Sequence, residues 1–352
     1  MGVFRLYAEI AQHLTSHPDS LADSPLERIA AVYSPYAYIG SREMLASAVV
    51  RDAERLRSCK ATLVQTSDIT SGALAARWYG RSDWRVDSGA FPDFVLAWEE
   101  RGILGDGALV ELKDSRDQSI ASFNSTLPSA RKRISTLTDL VRDAVDRYER
   151  CASLRPDERP DERDCFYLVR TRKSEPRECR LSLVQGTFFE TLPNNELLKA
   201  LWKQVLDQAE VPAELQEKLS PYLSQLERAD IAQTRQIEGA SVKPRLRIMS
   251  EVHSEGNPHR YAEITPRSVN LIVKLPEECA DLRGDDLIRR SSGWILELFR
   301  ADGVAASAKE PAHDQLVLAG ELRAQLKLIR HRRNGLHPCV QVHTPGSGAA
   351  PS

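Results

Sequence analysis

The tightest constraint on this chain is one pair of short apolar runs about a glycine-rich connection: FVLAW within residues 93–99, then RGILGDG, then ALVELK at residues 108–113. Runs this short, a loop length apart, predict a β-hairpin. Alternate residues of a strand share a face, so Glu111 and Lys113 project together while Leu112 packs on the other side. Asp93 opens the antiparallel partner, close to both. Two charges inside an otherwise apolar run are costly unless they have partners or a metal.

The flanking sequence places this hairpin in a larger fold. Residues 41–57 set Met44, Leu45, Ala48, Val49, Ala53 and Leu56 at helical spacing behind Ser41 as N-cap. Helical spacing returns over residues 129–150, and the Pro-punctuated RPDERPDER that follows reads as a loop. Residues 164–171 and 177–188 read as strands, and Asn194 or Asn195 caps a helix ending near Ala209. The order helix, strand, strand, helix, strand, strand, helix predicts an α/β fold with a mixed central sheet flanked by helices. Further helices are expected over residues 212–236, short strands at 245–252, 260–264 and 269–274, and a helix over 316–330; residues 286–299 carry no decisive pattern. A change of composition near residues 239–243 suggests a core with a helical extension over 1–240, a C-terminal α+β region over 241–343, and a flexible tail at 344–352.

Composition narrows the class. With 41% hydrophobic and 28% charged residues the chain can bury a sizeable core and is neither disordered nor fibrous. No stretch approaches the ~20 consecutive apolar residues of a membrane span, and residues 1–10 lack the basic-then-apolar build of a secretory leader. The six cysteines show no paired spacing, which suits a reducing compartment. A cytoplasmic protein without a membrane partner is expected. The formal net charge is −2, so an anionic ligand has to be met locally.

The chemistry concentrates at the hairpin. Two carboxylates converging there make an oxygen-rich site suited to Mg²⁺, and a Lys beside them can orient or help deprotonate a water and stabilise charge on a phosphate. Pro-Asp occurs four times in the chain, but of its 11 lysines only Lys113 has an acidic residue two positions before it. The unique match falls on the apolar hairpin, with seventeen residues between Asp93 and Glu111. In this pattern, PD followed by E-x-K, the chain resembles the PD-(D/E)xK nuclease superfamily, and within it the type II restriction endonucleases. The resemblance covers residues 41–209 and implies a restriction-endonuclease-like core: a helix, a three-stranded meander carrying the motif, a helix and a further strand. It also implies Asp93 and Glu111 as Mg²⁺ ligands with the Leu112 carbonyl as a further one, Lys113 as the catalytic lysine, double-stranded DNA as substrate and a homodimer that cuts both strands.

Other residues are weaker candidates. The polar, Ser/Asn-rich stretch after the motif, with Asn124 and Ser125, leads to Arg131, Lys132 and Arg133; these suit phosphate contacts. Glu43 or Glu54 on the early helix can add a carboxylate. His331, Asn334 and His337 are too closely spaced for a ββα-metal nuclease and belong with the basic stretch at Arg330, Arg332 and Arg333. No P-loop, G-x-G-x-x-G, G-x-S-x-G or H-E-x-x-H is present, which removes nucleotide-driven motors, dinucleotide enzymes, common serine hydrolases and zincins. Two alternatives stay open: a repair or recombination nuclease on the same core, and a non-catalytic DNA-binding or interaction protein in which Glu111 and Lys113 form a surface ion pair.

Overall fold

The computed structural model describes residues 2–30, 38–39, 91–96, 104–105, 107–115, 120, 123–124, 128–137, 142, 160–172, 178–189, 194–223, 249–250, 254–279, 281–309 and 313–345. In chain order the elements begin with α1 (Val3–Ser16), α2 (Ser20–Asp23), α3 (Leu26–Ala30), β1 (Tyr38–Ile39), β2 (Phe94–Val95), β3 (Leu109–Ser115), β4 (Phe123–Asn124), β5 (Arg131–Arg133), β6 (Glu162–Arg172) and β7 (Cys179–Gln185). They continue with α4 (Asn194–Gln208), α5 (Ala213–Leu223), β8 (Met249–Ser250), β9 (Ser268–Ile272), α6 (Gly284–Ala301), β10 (Ala306–Ala308), β11 (Gln315–Leu318), β12 (Leu322–His331) and β13 (Gly335–His343).

One mixed sheet organises the first of two compact units, in the order β1-β2-β3-β6-β7-β9-β13-β12-β11-β10, with β5 added beside β6. β1, β2 and β3 form an antiparallel meander. β6 then runs parallel to β3, and β9 parallel to β7. This unit takes in residues 1–121, 129–189 and 251–352; the second holds residues 122–128 and 190–250, where α4 and α5 form a helical pair and β4 pairs with β8. The expected division into 1–240 and 241–343 therefore gives way, because β9 lies between β7 and β13 and strands from both sides of residue 240 share one sheet.

The two faces of that sheet differ in chemistry. Val110, Phe166, Leu168, Leu181, Leu183, Val269, Leu271, Val340 and Val342 join one core cluster with α1 and α6. The amphipathic α1 seals this face: Val3, Phe4, Leu6, Tyr7, Ile10 and Leu14 are buried, and the Tyr7 hydroxyl donates to the carbonyls of Val340 at 2.9 Å and Val269 at 3.2 Å. By strand alternation, Glu111, Lys113, Tyr167, Thr171, Ser182, Asn270 and Gln341 point to the other face.

Three sequence expectations are corrected here. Residues 131–133, expected in a helix over 129–150, form a strand, because Arg131 and Arg133 pair in register with Asp164 and Glu162; of residues 138–159 only Arg142 is described. The helix expected over 316–330 is two strands. Buried Leu322, Ala324 and Leu326 alternate with exposed Arg323 and Gln325, and the turn at Ala319 and Gly320 (φ 49° and 87°) interrupts the helical period. Residues 260–264 are a turn, set up by Asn257, whose side chain caps the short helix at Pro258–Arg260 by accepting from His259 N at 3.0 Å. The helix expected over 41–57 lies outside the described residues. Residues 286–299 fall within α6, and the strands expected at 164–171 and 177–188 are present as β6 and β7.

Candidate active site on the polar face of the sheet

The register of β2 on β3, Phe94 with Val110 and Val95 with Leu109, carried one residue further sets Asp93 opposite Glu111. Directly opposed residues of an antiparallel pair project from the same face. Asp93, Glu111 and Lys113 therefore gather on one side of the sheet, while Val110 and Leu112 pack into the core on the other.

The contacts hold this arrangement. Asp93 Oδ2 accepts a 2.7 Å hydrogen bond from the Leu112 backbone N–H, pinning the start of β2 to the centre of β3. A residue's N–H and C=O leave an extended strand on the same side, so the Leu112 carbonyl also faces the Asp93 edge. Lys113 Nζ donates to Glu111 Oε1 at 2.9 Å, with both side chains 16% exposed. The second carboxylate oxygen, Glu111 Oε2, is buried and accepts no hydrogen bond among the described residues. A buried charged acceptor left unsatisfied costs on the order of 1–3 kcal/mol or more, so this oxygen calls for a cation or a donor beyond those the described residues provide.

Surrounding groups define the polarity. In the parallel register Tyr167 stands beside Glu111. Burial holds its phenol well above the usual tyrosine range, with Cys165 and Glu111 adding to the shift and a bond from the Ser129 N–H opposing it. Tyr167 therefore stays neutral beside the carboxylate. Two pairs back, burial pushes the Cys165 thiol up to about 12, with Lys132 opposing and Glu111 contributing. Lys132 sits 4.2 Å above the Phe91 ring, two residues before Asp93. β5 can approach β6 and β7 this closely because position 186 is glycine: a Cβ there would overlap the Ser129 carbonyl oxygen.

The expected residues separate accordingly. Asp93, Glu111, Leu112 and Lys113 come together, and Lys132 lies near them. Arg131 is exposed and engaged, with Nε 2.9 Å from Asp164 Oδ1 and Glu162 at 3.8 Å; the Asp164 carboxylate raises its pKa. Asn124 belongs to the second unit, in β4. Glu43, Glu54 and Ser125 lie outside the described residues. Tyr167 escaped the sequence reading, since nothing local announces a parallel pairing across 56 positions.

The donor set suits a small hard cation. Among the described residues no group of three or more His, Cys, Asp or Glu side chains is placed to hold a metal; the oxygen donors brought together there are the Asp93 and Glu111 carboxylates and the Leu112 carbonyl. Mg²⁺ is commonly held by one or two carboxylates, with waters and substrate phosphate completing its shell. The orphaned Glu111 Oε2 supplies the oxygen such a site needs. Among the described residues no helix is long and apolar enough to cross a membrane. Comparison with family models, curated proteins and solved structures returned no match for this chain.

Proposed function

We propose that this chain is a Mg²⁺-dependent endonuclease of the restriction type, hydrolysing phosphodiester bonds of double-stranded DNA at the Asp93–Glu111–Lys113 face. The observation that carries the reading is Glu111 Oε2, buried and without a hydrogen bond among the described residues, on the same face as Asp93 and beside Lys113. The antiparallel meander β1-β2-β3, with β6 parallel beside β3, supports a restriction-endonuclease-like core. Of the core's two expected helices, the one over residues 41–57 lies outside the described set, and the one over 129–150 is replaced at residues 131–133 by the strand β5.

Asp93 and Glu111, with the Leu112 carbonyl, would hold the Mg²⁺, which when bound polarises a phosphoryl oxygen and acidifies a bound water. Lys113 Nζ, fixed by Glu111 Oε1, orients the attacking water and offsets charge developing on the phosphate. Asp93 holds Leu112 N–H and so fixes the spacing of the two strands. Lys132 adds positive charge on the side where the DNA backbone arrives. Cutting both strands of a palindromic site calls for two copies of the face related by a two-fold axis, hence a C₂ homodimer.

The test is digestion of DNA of known sequence by purified protein with Mg²⁺, followed by mapping of the ends. Discrete fragments with unique termini are expected. Intact DNA under all divalent metals tried would leave Glu111 and Lys113 as an ion pair of a non-catalytic protein.

A further inference from the structure

A cleft of about 470 Å³ opens where β5, β6, β7 and the segment after β9 meet, within the ~300–1,000 Å³ range of small-ligand sites. It does not include Glu111 or Lys113. Asp164, on its wall, lies three residues before Tyr167, which pairs with Glu111. At ~3.3 Å per residue that is about 10 Å, close to three base-pair rises of ~3.4 Å.

The lining is built for a flat, edge-polar group. Leu104, Leu275 and Pro276 give apolar surface. Gln185, 6% exposed, has its Oε1 occupied by the Lys274 N–H at 2.8 Å and the Thr187 hydroxyl at 3.3 Å. Its Nε2 has no acceptor among the described residues and is not sealed from solvent. Lys274 and Glu277 likewise form no side-chain hydrogen bond or ion pair among the described residues, although three positions apart. The wall thus presents two unengaged donors and one unengaged acceptor. Its charges balance, Arg131 and Lys274 against Asp164 and Glu277, which disfavours a bare phosphate. Base edges carry donors and acceptors side by side.

We propose that this cleft takes one unstacked nucleotide of the DNA strand being cut, with the base against Leu104, Leu275 and Pro276 and its polar edge on Gln185, Lys274 and Glu277. The inference rests on the nuclease reading and adds to it a base-holding subsite beside the reacting phosphate. Extruded bases are held in this manner, by stacking on apolar side chains and hydrogen bonds to the edge.

The experiment uses a short duplex carrying the mapped cut site, with 2-aminopurine placed in turn at each position flanking the scissile phosphate and Ca²⁺ present to hold the complex. Fluorescence should rise at one position, and the double variant K274M/E277Q should abolish the rise and weaken binding roughly tenfold. Both substitutions spare the Lys274 backbone N–H that Gln185 uses. Binding and cleavage with no rise at any position would overturn the proposal and leave the nuclease reading standing. Absence of both binding and cleavage would remove the nuclease reading, and this proposal with it. Displacement of DNA by free deoxynucleoside monophosphates, with no rise in the duplex, would assign the cleft to a small nucleotide and overturn the proposal.

Discussion

Lys113 and Asp114 are neighbours on β3, yet their side chains enter two opposite ion-pair systems. On the core face Asp114 is gripped by Arg170 through Nε at 3.0 Å and Nη2 at 2.7 Å, and Arg172 adds a bond at 2.9 Å. The Arg170 guanidinium, fully buried, also donates to the carbonyls of Leu21 and Ser24, tying α2 to the sheet. The Asp114–Arg170 pair is closed, since carboxylate and guanidinium satisfy each other and the chain supplies the remainder, while Arg172 Nε at its margin is buried without a hydrogen bond among the described residues. On the polar face the Glu111–Lys113 pair has one good bond and one buried oxygen with none. The difference separates an ion pair satisfied within the fold from one that leaves a buried carboxylate oxygen without a hydrogen bond among the described residues.

The sharpest way to break this comparison is to neutralise each side. Glu111→Gln should lower cleavage by about a thousandfold, as expected when several kcal/mol of transition-state stabilisation are lost. Urea unfolding should show its stability unchanged or raised, because a desolvated charge has gone. Arg170→Ala should do the reverse kind of damage: about 2–4 kcal/mol of stability lost, since it leaves Asp114 with the Arg172 bond alone and takes the donor from the Leu21 and Ser24 carbonyls that anchor α2.

A third test asks whether polar groups elsewhere on the same face are closed. His259 is buried between the Thr171 hydroxyl at 2.7 Å and the Ser182 hydroxyl at 2.8 Å. Burial, with Arg180 adding, holds it down at about 3. The native ring stays neutral while the unfolded ring takes up a proton below about 6.5, so this contribution is full above that pH and shrinks as pH falls toward 3. The expected slope is about 1.4 kcal/mol per pH unit. Denaturation curves from pH 7 to 4 measure it, and His259→Gln should flatten the slope. The smallest effect is expected at Arg131, whose pair with Asp164 is 58% exposed on the Arg side. Arg131→Ala should cost at most about 1 kcal/mol and should reduce the salt dependence of DNA binding if this side chain meets the backbone.

The site was legible where its geometry is local. Glu111, Leu112 and Lys113 share one strand, Asp93 starts the next, and a period of two is enough to sort their faces. The reading failed where pairing over distance decides. Arg131–Arg133 has helical neighbours in sequence, but Glu162 and Asp164, some thirty residues on, make it a strand. The apolar residues of 316–330 fit both periods, and only the left-handed turn at Ala319–Gly320 selects the hairpin. Tyr167 beside Glu111, and the continuation of the sheet through β9, both depend on parallel neighbours, which leave no short-range mark.

The most direct test of the central claim is single-turnover cleavage of a duplex carrying the mapped site, in Mg²⁺, by the wild type, Asp93→Asn, Glu111→Gln and Lys113→Ala, with binding of each measured in Ca²⁺. The expected result is that all four bind alike while only the wild type cuts at an appreciable rate. Cutting by Glu111→Gln or Lys113→Ala at the wild-type rate would contradict it.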